Sequence, residues 1–404
     1  MPILKNIRAL YSCSGKGSLV ERYDRAALAW HQGRITWLGP QQTLPASKTD
    51  DIVFDAENCV VIPGLIDCHT HLAFRSFRSE EFEAKIRGVS YLEIARQGGG
   101  IMSTVRSTRA TSNAELEALC LERLREMLAL GITTIEAKSG YGLDEPTELR
   151  ILELYRRLSS LQPIEIAPTF LGAHVVPLDA SSRQDYIELI ERKLIPEVSA
   201  RGLAQFCDVF VEEGAFSVEE ARAILHTARQ HGLRSKLHVD QLADGGGALL
   251  AAEIGAISAD HLEHVSAHGI NALKHSGTIA VLLPFASLFA FQPPAPGRDL
   301  QTAGVRVAVA TDFNPGTAPS SHLPFALSLA CTLNRLTPSE ALAGATWNAA
   351  AALGLSDQIG ALTVGRQADF VTLRSPSIDE WLYCPKSNCT HTVFKRGIRV
   401  HEPR

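Results

Sequence analysis

Short apolar runs rich in β-branched residues recur along the middle of the chain, with amphipathic stretches between them. The runs fall at residues 60–66, 132–136, 164–170, 207–211, 235–239, 257–259, 278–283 and 305–310. Between them, at 115–130, 148–161, 184–199 and 218–231, apolar residues return every three or four positions. That spacing predicts helices with one buried face, and the runs predict short buried strands. Gly131, Gly202, Gly232, Gly255 and Gly277 stand where the C-terminal caps of such helices are expected. Strand–helix alternation predicts parallel βα units, and eight strands is the number that closes a (β/α)8 barrel. The predicted fold class is therefore α/β, with a TIM barrel over residues 61–359.

The flanks follow a different period. Residues 27–30 and 34–38 read as strands joined at His31-Gln32-Gly33, a hairpin signal. After a helix ending near Leu353, strands return at 369–373, 392–395 and 398–401. Neither flank makes a satisfying sheet alone, so 1–60 and 360–404 are predicted to join as one small β-sandwich domain. Residues 75–113, which carry Gly98-Gly99-Gly100, form a long connection after the first barrel strand. A functional lid and a partly helical surface excursion are both open readings.

Composition narrows the class. The 404 residues, 45% of them hydrophobic and 21% charged, exceed the roughly 250 that a bare barrel needs. A net charge of −5 gives no reason to expect nucleic acid as a partner. The eight cysteines, Cys13 to Cys389, form no C-x-x-C pair and read as reduced, mostly buried thiols of a cytoplasmic protein. Lys5 and Arg8 interrupt the N-terminus, which has no apolar core for a signal peptide. The longest weakly polar run, 278–291, contains Pro284 and is too short for a bilayer, so it reads as a buried strand and loop. No membrane association is expected.

The chemistry gathers at predicted strand ends. Asp67-Cys68-His69-Thr70-His71 closes the first strand, and residues two apart on extended chain point the same way. His69 and His71 can thus share one ion at the barrel mouth, while Cys68 should point to the opposite face. His238 ends the fifth strand, His261 follows the sixth and Asp312 follows the eighth. Barrel enzymes assemble their sites from several strands at this end. Imidazole nitrogen and carboxylate oxygen suit zinc and also iron, and such a set leaves a position open for water. The chain has no G-x-S-x-G elbow and no G-x-G-x-x-G after a strand, which argues against a serine nucleophile or a dinucleotide.

At these residues the chain resembles the amidohydrolase superfamily. The resemblance rests on Gly64-Leu65-Ile66-Asp67-Cys68-His69-Thr70-His71, Glu136-Ala137-Lys138-Ser139-Gly140-Tyr141-Gly142 and Phe170-Leu171-Gly172-Ala173-His174. It continues with His238-Val239-Asp240-Gln241 and Asp312-Phe313-Asn314-Pro315-Gly316-Thr317. Within the superfamily it is most similar to the branch that hydrolyses 4-imidazolone-5-propanoate to N-formimidoyl-L-glutamate. The resemblance implies that His69, His71, His238 and Asp312 hold one zinc or iron ion per chain. It also implies that Arg78, Tyr141, His174, Gln241, Asn314, Gly316 and Thr317 contact a small-molecule substrate, and that the enzyme is a homodimer.

The residue chemistry fits these roles. A forked guanidinium such as Arg78 suits a propanoate carboxylate. His174 is either a ring contact or a core histidine, and Asn314 in Asn-Pro-Gly is either an amide donor or a turn residue. Asp312 is the expected general base and His261 the expected partner of the attacking water or the oxyanion. Related deaminases carry Glu as a proton shuttle where this chain has Gln241, which cannot exchange protons at neutral pH. No lysine ends strand four to bridge a second ion: Val211-Glu212-Glu213-Gly214 stands there, and Lys138 follows strand two. The remaining alternatives are a deaminase or hydantoinase-like hydrolase and a non-catalytic barrel scaffold.

Overall fold

The computed structural model describes residues 1–13, 19–45, 51–89, 93–94 and 98–402. Strands β1 (Pro2–Ser12), β2 (Glu21–His31), β3 (Arg34–Pro40), β4 (Ile52–Asp55) and β5 (Val60–Pro63) precede the barrel. The barrel strands are β6 (Leu65–Asp67), β7 (Ile132–Lys138), β8 (Glu165–Ala173), β9 (Phe206–Val211), β10 (Arg234–Val239), β11 (Ser258–His261), β12 (Ile279–Leu282) and β13 (Val307–Val309). Each of these pairs in parallel with the next, in sequence order. Strands β14 (Phe370–Leu373), β15 (Thr390–Lys395) and β16 (Ile398–His401) follow.

The run expected as one strand at 60–66 is two. It divides at Gly64, where the chain passes so close to Thr133 that a Cβ would overlap its side chain. The first half, β5, pairs with β14 and β1, and only the second half enters the barrel. Caps explain the helices. Asp144 accepts from the Thr147 amide and Pro146 fills the first turn, starting the helix at Glu145 rather than at 148. Gly131 and Gly277, at φ 90° and 75°, take the left-handed conformation expected after a helix end. The helix expected over 184–199 is interrupted by a π-turn, Ile190–Leu194. Pro196 has no N–H to donate back along the α-ladder. Past β12, Pro284 starts a helix, Pro284–Phe289, where a loop was expected.

The terminal strands make one sheet in the order β16-β15-β14-β5-β1-β2-β3, with β4 also on β1. Gln32 and Gly33 both have positive φ, 48° and 74°, as the tight hairpin between β2 and β3 requires. Trp30 on β2 and Phe394 on β15 lie four strands apart, about 19 Å in a flat sheet at about 4.8 Å per strand. Their ring centroids are nevertheless 5.7 Å apart. The sheet therefore folds over itself, enclosing Trp30, Phe54, Phe370 and Phe394 between its faces. Sequence ends meet here: the Ser12 hydroxyl donates to the Leu362 carbonyl at 2.7 Å.

Barrel closure places the chemistry. Strands β13 and β6 are not neighbours along their own lengths. The seam is sealed just beyond them, where Asp312 N–H donates to the His69 carbonyl at 3.1 Å and His71 N–H to the Phe313 carbonyl at 2.8 Å. Asp67 reinforces it by accepting from Thr311 N–H at 3.0 Å and Thr311 Oγ1 at 2.6 Å. Of the long connection, Glu80–Ile86 and Ile101–Ala110 are helical. Its residues 90–92 and 95–97, on which part of the lid reading falls, lie outside the described residues.

Candidate metal centre

The seam brings together the residues singled out in sequence. His69 Nε2 lies 3.3 Å from Asp312 Oδ1, and His71 Nε2 lies 3.4 Å from the same oxygen. His238 Nε2 is 3.4 Å from His71 Nε2. All four side chains are buried. An ion with donor bonds of about 2.1 Å in tetrahedral geometry has donor–donor edges of about 3.4 Å. The measured edges match that figure, and His69 Nε2 is a buried nitrogen with no hydrogen-bond partner. His69, His71 and Asp312 form one cluster able to hold a metal ion, and His69, His238 and His261 form another. The donor set fits the ion.

Two of the rings are oriented from behind. His69 Nδ1 faces Asp260 Oδ2 at 2.7 Å, and His238 Nδ1 faces Asp208 Oδ1 at 3.1 Å. A carboxylate on Nδ1 places the hydrogen there and leaves Nε2 as the ligand atom. Burial drives the His69 pKa well below the usual imidazole range, and it brings His238 down to about 4 against the pull of Asp208. Both rings are thus neutral. Burial opposes ionisation of Asp312, but His71, His261 and His238 outweigh it and hold the carboxyl below its usual value. Asn314 Nδ2 donates to Asp312 Oδ2 at 2.9 Å, leaving Oδ1 to face the histidines.

His261 completes the ring of imidazoles, with its centroid 5.4 Å from His238 and 5.7 Å from His69. Burial works against its charged form, yet Glu263 beside Nδ1 at 3.6 Å raises the pKa overall. Glu263 is itself held by Ser287 Oγ at 2.9 Å. His261 and Asp312 both have positive φ, 80° and 56°. Non-glycine residues pay about 1–3 kcal/mol for such conformations, which cluster at functional sites.

The expected substrate residues divide into four groups. Tyr141 and His174 pack on the cluster, with centroids 5.6 Å and 5.3 Å from His71. His174 Nδ1 meets the Gly140 carbonyl at 3.0 Å, and burial lowers its pKa well below the usual value. Arg78 lies against the Asp312 loop: its N–H donates to the Pro315 carbonyl, and a Cβ on Gly316 would overlap its guanidinium. Its Nη1 donates to Thr104 Oγ1 at 3.0 Å and its Nε pairs with Glu81 at 3.3 Å. Asn314, Gly316 and Thr317 are occupied within their own turn. Asn314 Oδ1 accepts from the Gly316 and Thr317 amides, both at 2.8 Å, and its Nδ2 serves Asp312, so the turn reading accounts for this side chain. Gln241 has no side-chain hydrogen bond among the described residues. Its loop is pinned by Glu212, which accepts from Leu242 N–H at 2.9 Å.

Sequence reading missed the floor of the site. Glu136, Lys138, Asp208, Lys236 and Asp260 are all buried and mutually paired. The available signal was charge two residues apart inside short strands, at Glu136/Lys138 and Lys236/His238, which puts charge on one inward face. Cys68 lies in a hydrophobic cluster with Ile66, Ala167 and Phe206, and no metal-holding cluster among the described residues includes it. The cysteines are all free, six of them buried.

Fold and centre together define a metal-dependent barrel hydrolase, and the chain belongs to the amidohydrolase family, whose model matches residues 60–400. An imidazolonepropionase of Shewanella baltica is 45% identical over 380 residues, covering 93% of both chains. One from Shewanella putrefaciens matches at the same identity and coverage. Among solved structures, 5-methylcytosine deaminase from Klebsiella pneumoniae liganded with phosphonocytosine aligns at TM-score 0.76 and 17% identity, covering all of this chain and 98% of that one. Atrazine chlorohydrolase from Arthrobacter aurescens complexed with zinc aligns at TM-score 0.73 and 15% identity, covering 100% and 95%. These two share the fold. No helix among the described residues is long and apolar enough to cross a membrane.

Proposed function

We propose that the protein hydrolyses the ring lactam of 4-imidazolone-5-propanoate to N-formimidoyl-L-glutamate, around one zinc or iron ion held by His69, His71, His238 and Asp312. The observation that carries this reading is the convergence of those donors at 3.3–3.4 Å edges. The 45% identity to imidazolonepropionases supplies the substrate.

Bound there, the ion supplies Lewis acidity, polarising a carbonyl and bringing the pKa of water toward neutrality. Asp312 takes the proton of the attacking water and later returns it to the leaving nitrogen. The ring carbonyl carbon gains the hydroxyl, its bond to nitrogen breaks, and the nitrogen departs with the proton, so one water is added across the bond. Glu263 beside Nδ1 of His261 favours the imidazolium form, whose Nε2–H donates to the oxygen where negative charge develops. Arg78 grips the propanoate as a forked donor. Tyr141 and His174 wall the ring, and Gln241 reads it by hydrogen bonding without exchanging protons. Asn314 acts through Asp312, whose carboxylate it orients, while Gly316 keeps room for Arg78 and Thr317 holds the turn.

Residues 61–359 are the catalytic domain in this reading, supported by 1–60 with 360–404, in a cytoplasmic homodimer. A substrate panel tests the assignment. Ring opening of imidazolonepropanoate alone is expected; faster turnover of a hydantoin or of guanine overturns it.

A further inference from the structure

Lys138 stands at the centre of the charged floor. Its Nζ donates to Asp208 Oδ2 at 2.6 Å and to Glu136 Oε1 at 2.9 Å, and lies 3.6 Å from Asp260 Oδ2. That same Asp260 oxygen meets His69 Nδ1 at 2.7 Å, and the other oxygen of Asp208 meets His238 Nδ1 at 3.1 Å. The main chain of Lys138 is tied in as well. Its N–H donates at 2.9 Å to the carbonyl of Thr70, the residue between His69 and His71, and its own carbonyl accepts from the Tyr155 hydroxyl at 2.8 Å. One residue thus touches the supports of three ligands.

We propose that Lys138 is a positioning residue for the ion: its ammonium fixes the Asp208 and Asp260 carboxylates where they accept from Nδ1 of His238 and His69, so that both Nε2 atoms face the metal. The inference rests on the reading above that these imidazoles hold an ion. A neutral imidazole has one N–H and one lone pair, so whatever accepts at Nδ1 decides which nitrogen can ligate. Asp208 and Asp260 come from neighbouring parts of the barrel wall and meet only through the cation between them. Without it, two buried carboxylates repel, Asp208 loses the hydrogen bond that sets its plane, and Asp260 loses an ion pair. Lys236 also favours the ionised form of Asp260, but it does not substitute at Asp208, because its Nζ is turned to Glu136 Oε2 at 3.2 Å and to the Cys68 carbonyl at 3.3 Å. The ammonium also fills the space among Glu136, Asp208 and Asp260 that a second cation would need.

Lys138→Met keeps an unbranched side chain of nearly the same length and removes its charge. Zinc affinity is read by competition with a chromophoric chelator, alongside circular dichroism of the metal-free protein. Supporting carboxylates of this kind are worth about 10–100-fold in metal affinity, and a loss of that size with native dichroism is expected. Absence of zinc binding by the wild type sinks the metal reading itself. Wild-type binding matched within about twofold by Lys138→Met sinks only the role given to Lys138. If Lys138→Met does not fold, nitrogen-15 spectra of the metal-free wild type decide. Nδ1–H tautomers at both His69 and His238 support the inference, and an Nε2–H tautomer at either overturns it.

Discussion

Gly316→Ala separates recognition from stability. Arg78 is almost enclosed, its side chain 8% exposed, and its guanidinium lies where a Cβ on Gly316 would sit. The alanine must therefore push the guanidinium aside, breaking its bond to Thr104 and its pairing with Glu81. The obstacle is the end of a flexible side chain, and Gly316 does not have a left-handed φ. Stability should change by less than about 1 kcal/mol, since the entropy gained by replacing glycine offsets part of the crowding. Recognition should suffer more. A charged hydrogen bond contributes about 1.5–3 kcal/mol, and at about 1.4 kcal/mol per decade its loss lowers kcat/KM by about 10–150-fold. Because the propanoate is remote from the scissile bond, the loss should fall mainly on KM. Steady-state kinetics on imidazolonepropanoate, with thermal melting alongside, measures both. Arg78→Met should reproduce the loss, and the double variant should be no worse than Arg78→Met alone. Wild-type KM in Gly316→Ala, or additive losses in the double variant, would refute the placement of Arg78 on the carboxylate.

Other outcomes follow from the same geometry. His261→Ala should lower kcat by about 10²–10³ while metal content, measured by mass spectrometry, stays at wild type; near-normal turnover would remove His261 from the mechanism. Glu148 accepts from the Gly140, Gly142 and Leu143 amides at 2.8–3.1 Å and so shapes the turn bearing Tyr141. Glu148→Gln should cost about 2–4 kcal/mol in denaturant unfolding and raise KM, and an unchanged midpoint would contradict this. Phe394→Ala opens the aromatic cluster between the folded sheet faces and should cost about 3–5 kcal/mol, seen as a lower Tm. Removing the ion with chelator should abolish turnover, and one equivalent of zinc or iron should restore it.

The sequence carried the barrel because period-2 and period-3.6 patterning are local, and each βα unit closes on its neighbour. Convergence of His69, His71, His238 and Asp312 was legible for the same reason, since strand ends of a closed barrel must meet. What escaped was set by non-local contacts. The close approach at Gly64 involves Thr133 across the strand pair, and the folding of the terminal sheet depends on partners as distant as Ser12 and Leu362. The buried floor escaped because an isolated Lys138 or Asp208 reads as solvated charge until the inward face of its strand is known. Asn314 shows the limit from the other side: its residue type suited both a ligand contact and a turn, and its turn role is visible only in the bonds to Gly316, Thr317 and Asp312.

Anomalous diffraction at the zinc and iron absorption edges, from crystals of the protein purified without chelator, addresses the central claim most directly. A single peak per chain is expected, about 2.0–2.2 Å from His69 Nε2, His71 Nε2, His238 Nε2 and Asp312 Oδ1. Two peaks, or one peak bound by other residues, would contradict it.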